Sequence, residues 1–222
     1  MRFRDRAAAG KQLVGEVTAL LTELGIGSGI SEDGVQVLGL PRGGVPVARP
    51  IADELGIALR VLLVRKLGLP GHPELAIGAI AAVGGRMLAV RNADVLRSYG
   101  IDGQTWGRIE DRERSELLRR TERFADFLAI EPAGSPVLLV DDGLATGATM
   151  RAAAGVVRAA GADPVLIAVP VASHRAVDAL TEDGARVVWL TMPDPLIAVG
   201  DAYRDFHQLT DDETLNWLRT QK

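Results

Sequence analysis

Residues 137–149, with the sequence VLLVDDGLATGAT, constrain the fold of this chain more than any other segment. The segment begins with four consecutive aliphatic residues, a run typical of a strand that is buried on both faces of a parallel sheet. Two carboxylates follow, then a turn rich in Gly and Thr, then an Ala-rich helical pattern over 150–160. This order of strand, polar loop and helix predicts a ligand site at the carboxyl edge of an open α/β sheet.

The polar loop has two parts that suit different groups of one ligand. Leu144 to Thr149 can direct backbone N–H groups and two Thr hydroxyls at an anion, at the positive end of the following helix. Asp141 and Asp142 would repel that anion, so they serve another group. Sugar hydroxyls are natural donors to carboxylates, and a divalent cation is the alternative. An acidic turn with a Thr helix cap is the purely structural interpretation.

A second strand–loop–helix unit occurs earlier, with a strand predicted over 35–40 and a helix over 45–55. The turn between them consists of Pro41, Arg42, Gly43 and Gly44. Glycines allow a backbone to approach a ligand closely, and the arginine adds a fixed positive charge. The turn is therefore a second candidate anion site, although the same residues also occur after strands without a ligand.

The next strand, predicted over 58–64, leads into a basic and glycine-rich stretch. Arg65 and Lys66 follow it and would counter the charge of an anion at the ligand edge; a basic pair in solvent is the alternative. Glycines and prolines over 67–73 indicate a mobile loop. The pair Gly84-Gly85 between two apolar runs indicates a β-hairpin.

Three further segments read as helical. An amphipathic helix is predicted over 5–24. Arg4 and Arg6 at its start are expected to be solvated, and contact with a ligand is the alternative. The highly charged stretch 92–128 is mostly helical, and Asp211 or Asp212 is expected to cap a last helix.

The alternation of strands and helices, completed by strands over 164–170 and 186–190, predicts an α/β fold. Right-handed crossovers then give a doubly wound, mostly parallel five-stranded sheet with flanking helices. We expect a single domain of residues 1–222, with the core sheet over 35–190, an insertion over 65–130 and a C-terminal part over 191–222.

Composition limits the classes of partner. A net charge of −4 argues against a general nucleic-acid binder. The first residues lack the apolar stretch of a signal peptide, and no window suits a membrane span, so a cytoplasmic protein is expected. The absence of cysteine excludes thiolate metal sites. Alternating charges over 108–123 indicate a solvent-facing helix or the interface of a homodimer.

The acidic pair, three variable positions and Thr-Gly-x-Thr of residues 141–149 resemble the signature of type I phosphoribosyltransferases. The resemblance extends from about Val35 to Phe206 and is greatest to bacterial phosphoribosyltransferase-domain proteins of unassigned substrate. It implies Mg²⁺-dependent transfer of ribose 5-phosphate from phosphoribosyl pyrophosphate (PRPP) to a nitrogen nucleophile, a nucleobase or an amine, with release of pyrophosphate. It also implies a flexible β-hairpin lid and a small C-terminal hood over the base.

The resemblance assigns roles residue by residue. Asp141 and Asp142 would accept from the ribose hydroxyls, and Arg42, with Arg65 or Lys66, would stabilise the leaving pyrophosphate. The implied 5′-phosphate site is Gly143, Leu144, Ala145, Thr146, Gly147, Ala148 and Thr149. The implied pyrophosphate site is Pro41, Arg42, Gly43 and Gly44. The implied base and hood residues are Trp189, Leu190 and Asp205, and the implied Mg²⁺ ligands are Asp141, Asp142 and Asp205. The spacing before Asp205 differs by one residue from the family pattern, and a core tryptophan and a surface aspartate are equally weighted alternatives for Trp189 and Asp205.

One departure from the family pattern bears on the acceptor. Enzymes that salvage 6-oxopurines carry an Asp immediately before Thr-Gly, whereas this chain has Ala145, which cannot move a proton. Hypoxanthine and guanine are therefore disfavoured. A regulator that senses PRPP or a nucleotide without turnover is the alternative function. A generic Rossmann domain is disfavoured, because the chain has no Gly-x-Gly-x-x-Gly turn.

Overall fold

The computed structural model describes residues 2–26, 34–69 and 71–220. The strands, in chain order, are β1 (Gln36–Gly39), β2 (Leu59–Val61), β3 (Val64–Leu69), β4 (His72–Val83), β5 (Arg86–Arg91), β6 (Val137–Val140), β7 (Val165–Val171) and β8 (Arg186–Thr191). The helices are α1 (Arg6–Glu23), α2 (Gly44–Leu55), α3 (Ala93–Ser98), α4 (Gly103–Arg123), α5 (Ala148–Ala159), α6 (His174–Glu182) and α7 (Asp211–Arg219). Short 3₁₀ turns occupy Ala125–Phe127 and Val199–Ala202.

The predicted five-stranded sheet is confirmed and is parallel throughout, in the order β2-β1-β6-β7-β8. Alternate residues of β6 serve opposite layers, as the pleat requires. Leu138 and Val140 pack with α1 and α2 on one face, whereas Val137 and Leu139 pack with α5 and α6 on the other. All residues of β6 and β7 are buried, which explains their unbroken aliphatic sequences.

The direction of winding reverses between β1 and β6. From β1 the chain passes through α2 to β2 on one side, and from β6 it passes through α5 to β7 on the other. The loops that follow β1 and β6 therefore diverge from one point at the carboxyl edge. Open α/β sheets bind ligands in the crevice at such a switch point.

A second, antiparallel sheet of order β3-β4-β5 packs against α4 and α5. Its hairpin turn at Gly84 and Gly85 is confirmed, with φ angles of 58° and 72° that favour glycine. The prediction of one strand over 58–64 is wrong, because the chain leaves the parallel sheet after Val61 and pairs with β4 from Val64 onward. The predicted loop 67–73 is also shorter, since β3 runs to Leu69 and β4 begins at His72.

The start of the described chain meets the segment that follows β8. Phe3 pairs with Tyr203, and both lie in a small apolar cluster with Val171. The last helix is capped by Thr210 in a reciprocal arrangement with Glu213, so the expectation of an aspartate cap is wrong. Within the described residues, no helix combines the length and apolarity that crossing a membrane requires.

Candidate functional site

The turn after β1 lies directly against the end of β6. A Cβ atom on Gly44 would lie 2.3 Å from the carbonyl oxygen of Val140, and one on Gly43 would lie 1.9 Å from Oδ2 of Asp142. Side chains do not approach other atoms so closely, so only glycine fits at either position without a shift. The candidate anion turn and the acidic pair therefore form one continuous surface at the switch point.

The acidic pair is largely withdrawn from water. The backbone N–H of Asp142 donates to Oδ1 of Asp141 at 2.8 Å, and the hydroxyl of Tyr203 donates to the carbonyl oxygen of Asp142 at 2.6 Å. Burial raises the pKa of both carboxyl groups, and the charge of Asp142 raises the pKa of Asp141 further. Carboxylates in such a setting make strong hydrogen bonds to any hydroxyl groups that replace the missing water.

Arg6 joins this site, so the expectation that it is solvated is wrong. It is buried, and its Nε lies 2.8 Å from Oδ2 of Asp142. Its Nη1 donates to the carbonyl oxygen of His207, and its guanidinium lies 3.8 Å from the ring centroid of Phe206. The guanidinium opposes the effect of burial and lowers the pKa of Asp142. No local sequence signal distinguishes Arg6 from a surface arginine at a helix start.

The loop Gly143–Thr149 begins α5, as predicted. Gly147 adopts a φ of 71° at the N-cap, and the backbone N–H of Ala148 lies 3.4 Å from the hydroxyl oxygen of Thr146. Ser173 donates to the carbonyl oxygen of Ala145 at 2.7 Å and so fixes the loop against α6. Thr146 and Thr149 remain exposed, which leaves hydroxyls and the helix N-terminus open to an anion.

The three cationic residues predicted to bind pyrophosphate do not all lie at the edge of the parallel sheet. Arg42 lies in the turn itself, after a cis peptide bond with Pro41. Arg65 and Lys66 lie within β3 rather than at the edge of the parallel sheet, and consecutive strand residues point to opposite faces. Arg65 forms a 2.6 Å ion pair with Glu113 of α4. The structure therefore does not place these two cations side by side.

The hood residues are dispersed over β8 and the segment that follows it. Trp189 is 38% exposed, whereas Leu190 packs between two apolar clusters. Asp205 lies close to His207, with Oδ1 3.1 Å from the ring Nδ1. The described parts of the chain hold no group of three or more acidic or His side chains that could hold a metal ion. Asp205 is thus not assembled with Asp141 and Asp142 into a protein-only metal cage.

A cavity of about 670 Å³ lies beside the loop Gly143–Thr149, between the antiparallel sheet and the start of α5. Thr146 and Ala148 line it together with the side chains of Arg151 and Arg175. A smaller cavity of about 170 Å³ lies at the other end of the site, where Arg6 and Asp205 contribute to its wall.

Comparison with known proteins shows the family of this chain. Residues 10–188 match the model of the phosphoribosyl transferase domain. A Mycobacterium tuberculosis H37Rv protein with the provisional name phosphoribosyl transferase is 44% identical over 217 residues, which cover 97% of this chain. They cover 46% of that relative, so this chain spans about half its length.

A solved structure extends the likeness to the whole chain. The crystal structure of the protein TT1426 from Thermus thermophilus has 43% identity and a TM-score of 0.81, and the match covers 98% of both chains. The resemblance drawn from residues 141–149 is therefore confirmed, and the chain belongs to the phosphoribosyl transferase domain family.

Proposed function

We propose that this chain is a Mg²⁺-dependent phosphoribosyltransferase that uses PRPP and a small nitrogenous acceptor. The observation that carries the proposal is the contact between two loops at the switch point. The acidic pair lies between the α5 N-terminus on one side and the turn with Arg42 on the other. PRPP has the matching order of groups, with ribose hydroxyls between a 5′-phosphate and a pyrophosphate.

The chemistry assigned to these residues is binding, orientation and charge stabilisation. The N–H groups and hydroxyls of Gly143–Thr149 hold the 5′-phosphate, and Asp141 and Asp142 accept from the ribose hydroxyls. The bond between C1 and the pyrophosphate oxygen breaks, and its electron pair leaves with pyrophosphate beside Arg42. The acceptor nitrogen bonds to C1 and gives up its proton; because Ala145 cannot accept it, the proton goes to water or to another carboxylate, for which Asp194 and Glu74, whose side chain lies outside the described part of the structure, are the candidates. Donors fixed before the reaction need not reorganise as charge develops.

The residues present suit a Mg²⁺ ion that is bound largely by substrate. Magnesium commonly takes one or two carboxylates and completes its octahedron with waters and substrate phosphates. Asp141 and Asp142 supply the carboxylates in this proposal, and Asp205 is the further ligand that the family resemblance implies. When bound, the ion neutralises charge on the pyrophosphate group.

The direct test is release of pyrophosphate from PRPP with Mg²⁺, across a panel of nucleobases and small amines. We expect release that depends on one acceptor and that is lost in Asp142→Asn, which keeps the shape of the side chain but removes its charge. Orotate or an amine is favoured over hypoxanthine and guanine. Tight binding of PRPP with no release of pyrophosphate in the presence of any acceptor would instead identify a PRPP-sensing regulator. Failure to bind PRPP would remove both functions.

A further inference from the structure

The cavity of about 670 Å³ lies outside the part of the site assigned to ribose and pyrophosphate. Thr146 and Ala148 of the 5′-phosphate loop belong to its described lining, but the acidic pair and the turn after β1 do not. The cavity therefore adjoins the implied 5′-phosphate position without reaching the groups that react. Small-molecule pockets commonly have volumes of about 300–1,000 Å³, so the space is sufficient for a nucleotide.

The lining of this cavity carries an excess of positive charge. Arg91 at the end of β5, Arg151 in α5 and Arg175 in α6 belong to it, and Asp94 and Asp183 are its acidic members. Arg151 forms a 2.8 Å ion pair with Asp183, and Asp94 is paired with an arginine three residues along its own helix. Among the described residues, neither Arg91 nor Arg175 forms an ion pair with a carboxylate. Positive charge concentrated in a cavity favours an anionic ligand.

Packing of the start of α6 against the 5′-phosphate loop holds Arg175 beside that loop. Ser173 donates to the carbonyl oxygen of Ala145 at 2.7 Å. A Cβ atom on Gly147 would lie 3.1 Å from the Cβ of Ala176, the residue that follows Arg175. Within the described parts of the chain, Arg175 has no side-chain hydrogen bond, ion pair or ring contact. Its five N–H donors are therefore available to an anion in the cavity.

The rest of the cavity lining is largely apolar. The antiparallel sheet contributes Leu75, Ala79 and Val90, and the helices α3 and α5 contribute Val95 and Ala152. A cavity that combines apolar walls with a few charged groups is typical of a small-molecule site, in which the charges orient the ligand. This combination fits a nucleotide, because a nucleotide joins a flat base to anionic phosphates.

We propose that this cavity is an effector site for a nucleotide, separate from the site of transfer. The phosphates lie at Arg175 and Arg151, and the base lies against the apolar lining from the antiparallel sheet. The inference goes beyond the proposed function, because transfer from PRPP uses none of the cavity residues outside the 5′-phosphate loop. It requires that a nucleotide and a ribose phosphate bind to the chain at the same time.

The test is calorimetric titration of the whole chain with ADP and with UDP, a purine and a pyrimidine nucleotide. EDTA is present, so that no metal draws the phosphates to the acidic pair. We expect Arg175→Gln to bind the nucleotide about tenfold more weakly than wild type, which corresponds to the loss of one charge-assisted contact. Arg119→Gln is the matched control, because Arg119 is an exposed arginine of α4 that pairs with Glu116 outside the cavity lining. Its affinity should match that of wild type.

A second variant tests the apolar part of the cavity. Ala152→Leu narrows the space without changing the charge, so it should weaken binding of the nucleotide but not of inorganic pyrophosphate. If both nucleotides bind no more tightly than pyrophosphate and Ala152→Leu changes neither affinity, the arginines attract anions without a nucleotide site, and the inference is wrong.

Competition distinguishes the cavity from the site of transfer. Saturating ribose 5-phosphate should leave nucleotide binding intact, whereas loss of binding would place the nucleotide in the 5′-phosphate loop and overturn the inference. Wild-type affinity in Arg175→Gln, or no binding of either nucleotide to the wild-type chain, would also overturn it. None of these measurements depends on release of pyrophosphate from PRPP, so the inference and the proposed function can fail separately.

Discussion

Arg6 and Asp142 form a contact between the first helix and the strand that carries the acidic pair. Their side chains are only 10% and 16% exposed. Arg6→Gln leaves Asp142 buried without a counter-charge, so we expect a loss of about 2 kcal/mol in the free energy of unfolding and weaker PRPP binding. Urea denaturation and calorimetry measure both. Arg4→Gln is the control, since Arg4 pairs with Asp5 at the surface and should change stability by less than about 0.5 kcal/mol. Equal stability of the two variants would show that Arg6 does not stabilise the buried Asp142 carboxylate.

Gly43 tests the packing of the two loops. A Cβ atom there would overlap the Asp142 carboxylate, so Gly43→Ala must displace either the turn or the acid. We expect PRPP binding to fall at least tenfold, because a misplaced carboxylate no longer meets the ribose hydroxyls. Gly15→Ala is a suitable control, since a Cβ on that α1 glycine meets no atom within 4 Å. That variant should bind PRPP normally and gain about 0.5–1 kcal/mol of stability.

In the antiparallel sheet, the middle of β4 is buried, whereas the turn between β3 and β4 is exposed. The β4 residues Ile77 and Ile80 are fully buried, whereas Gly71 and His72 are exposed. A lid over the reacting centre remains a prediction. We expect its moving part to lie at the end of the sheet near Gly71, because β4 is buried from Ile77 to Val83.

Hydrogen exchange tests this division of the sheet. Amides of Ile77–Val83 should be protected in the free protein, because buried paired strands open only with global unfolding. PRPP with Mg²⁺ should slow exchange around Gly71 and His72. The Gly84-Gly85 turn at the opposite end of the hairpin should not respond and serves as the internal control. Rapid exchange along all of β4 would show that the whole sheet moves.

At the scale of the whole molecule, ligand binding at the switch point should raise thermal stability. The site joins segments from the first helix, the centre of the sheet and the C-terminal part. At about 100 times its Kd, PRPP adds about 2.7 kcal/mol, or about 5–10 °C in Tm for a domain of this size.

Two controls identify the source of that rise. Chelation of Mg²⁺ with EDTA should reduce it strongly, and Asp142→Asn should abolish it. If PRPP raised Tm by the same amount in the presence of EDTA, a role for the metal in PRPP binding would be excluded.

Much of this architecture follows from short segments of sequence. The aliphatic run of β6 determines a buried strand, and the acidic pair and Thr-Gly turn that follow it determine the kind of ligand that its end can hold. These features are local, because burial of a strand and the start of a helix depend on neighbouring residues. Right-handed crossovers determine which face of the parallel sheet each connecting helix covers once the strands are in order, but they do not determine that order.

Only the tertiary structure decided which distant side chains complete the site. Arg6 reaches Asp142 across 136 positions, because the N-terminal segment pairs with Tyr203. Arg65 pairs with Glu113 because the inserted sheet and α4 pack together. A sequence pattern records whether a residue is buried or exposed along its own element, but not which remote element covers it. The sequence therefore determined the candidate ligand loops, and packing between remote segments determined the charges that surround them.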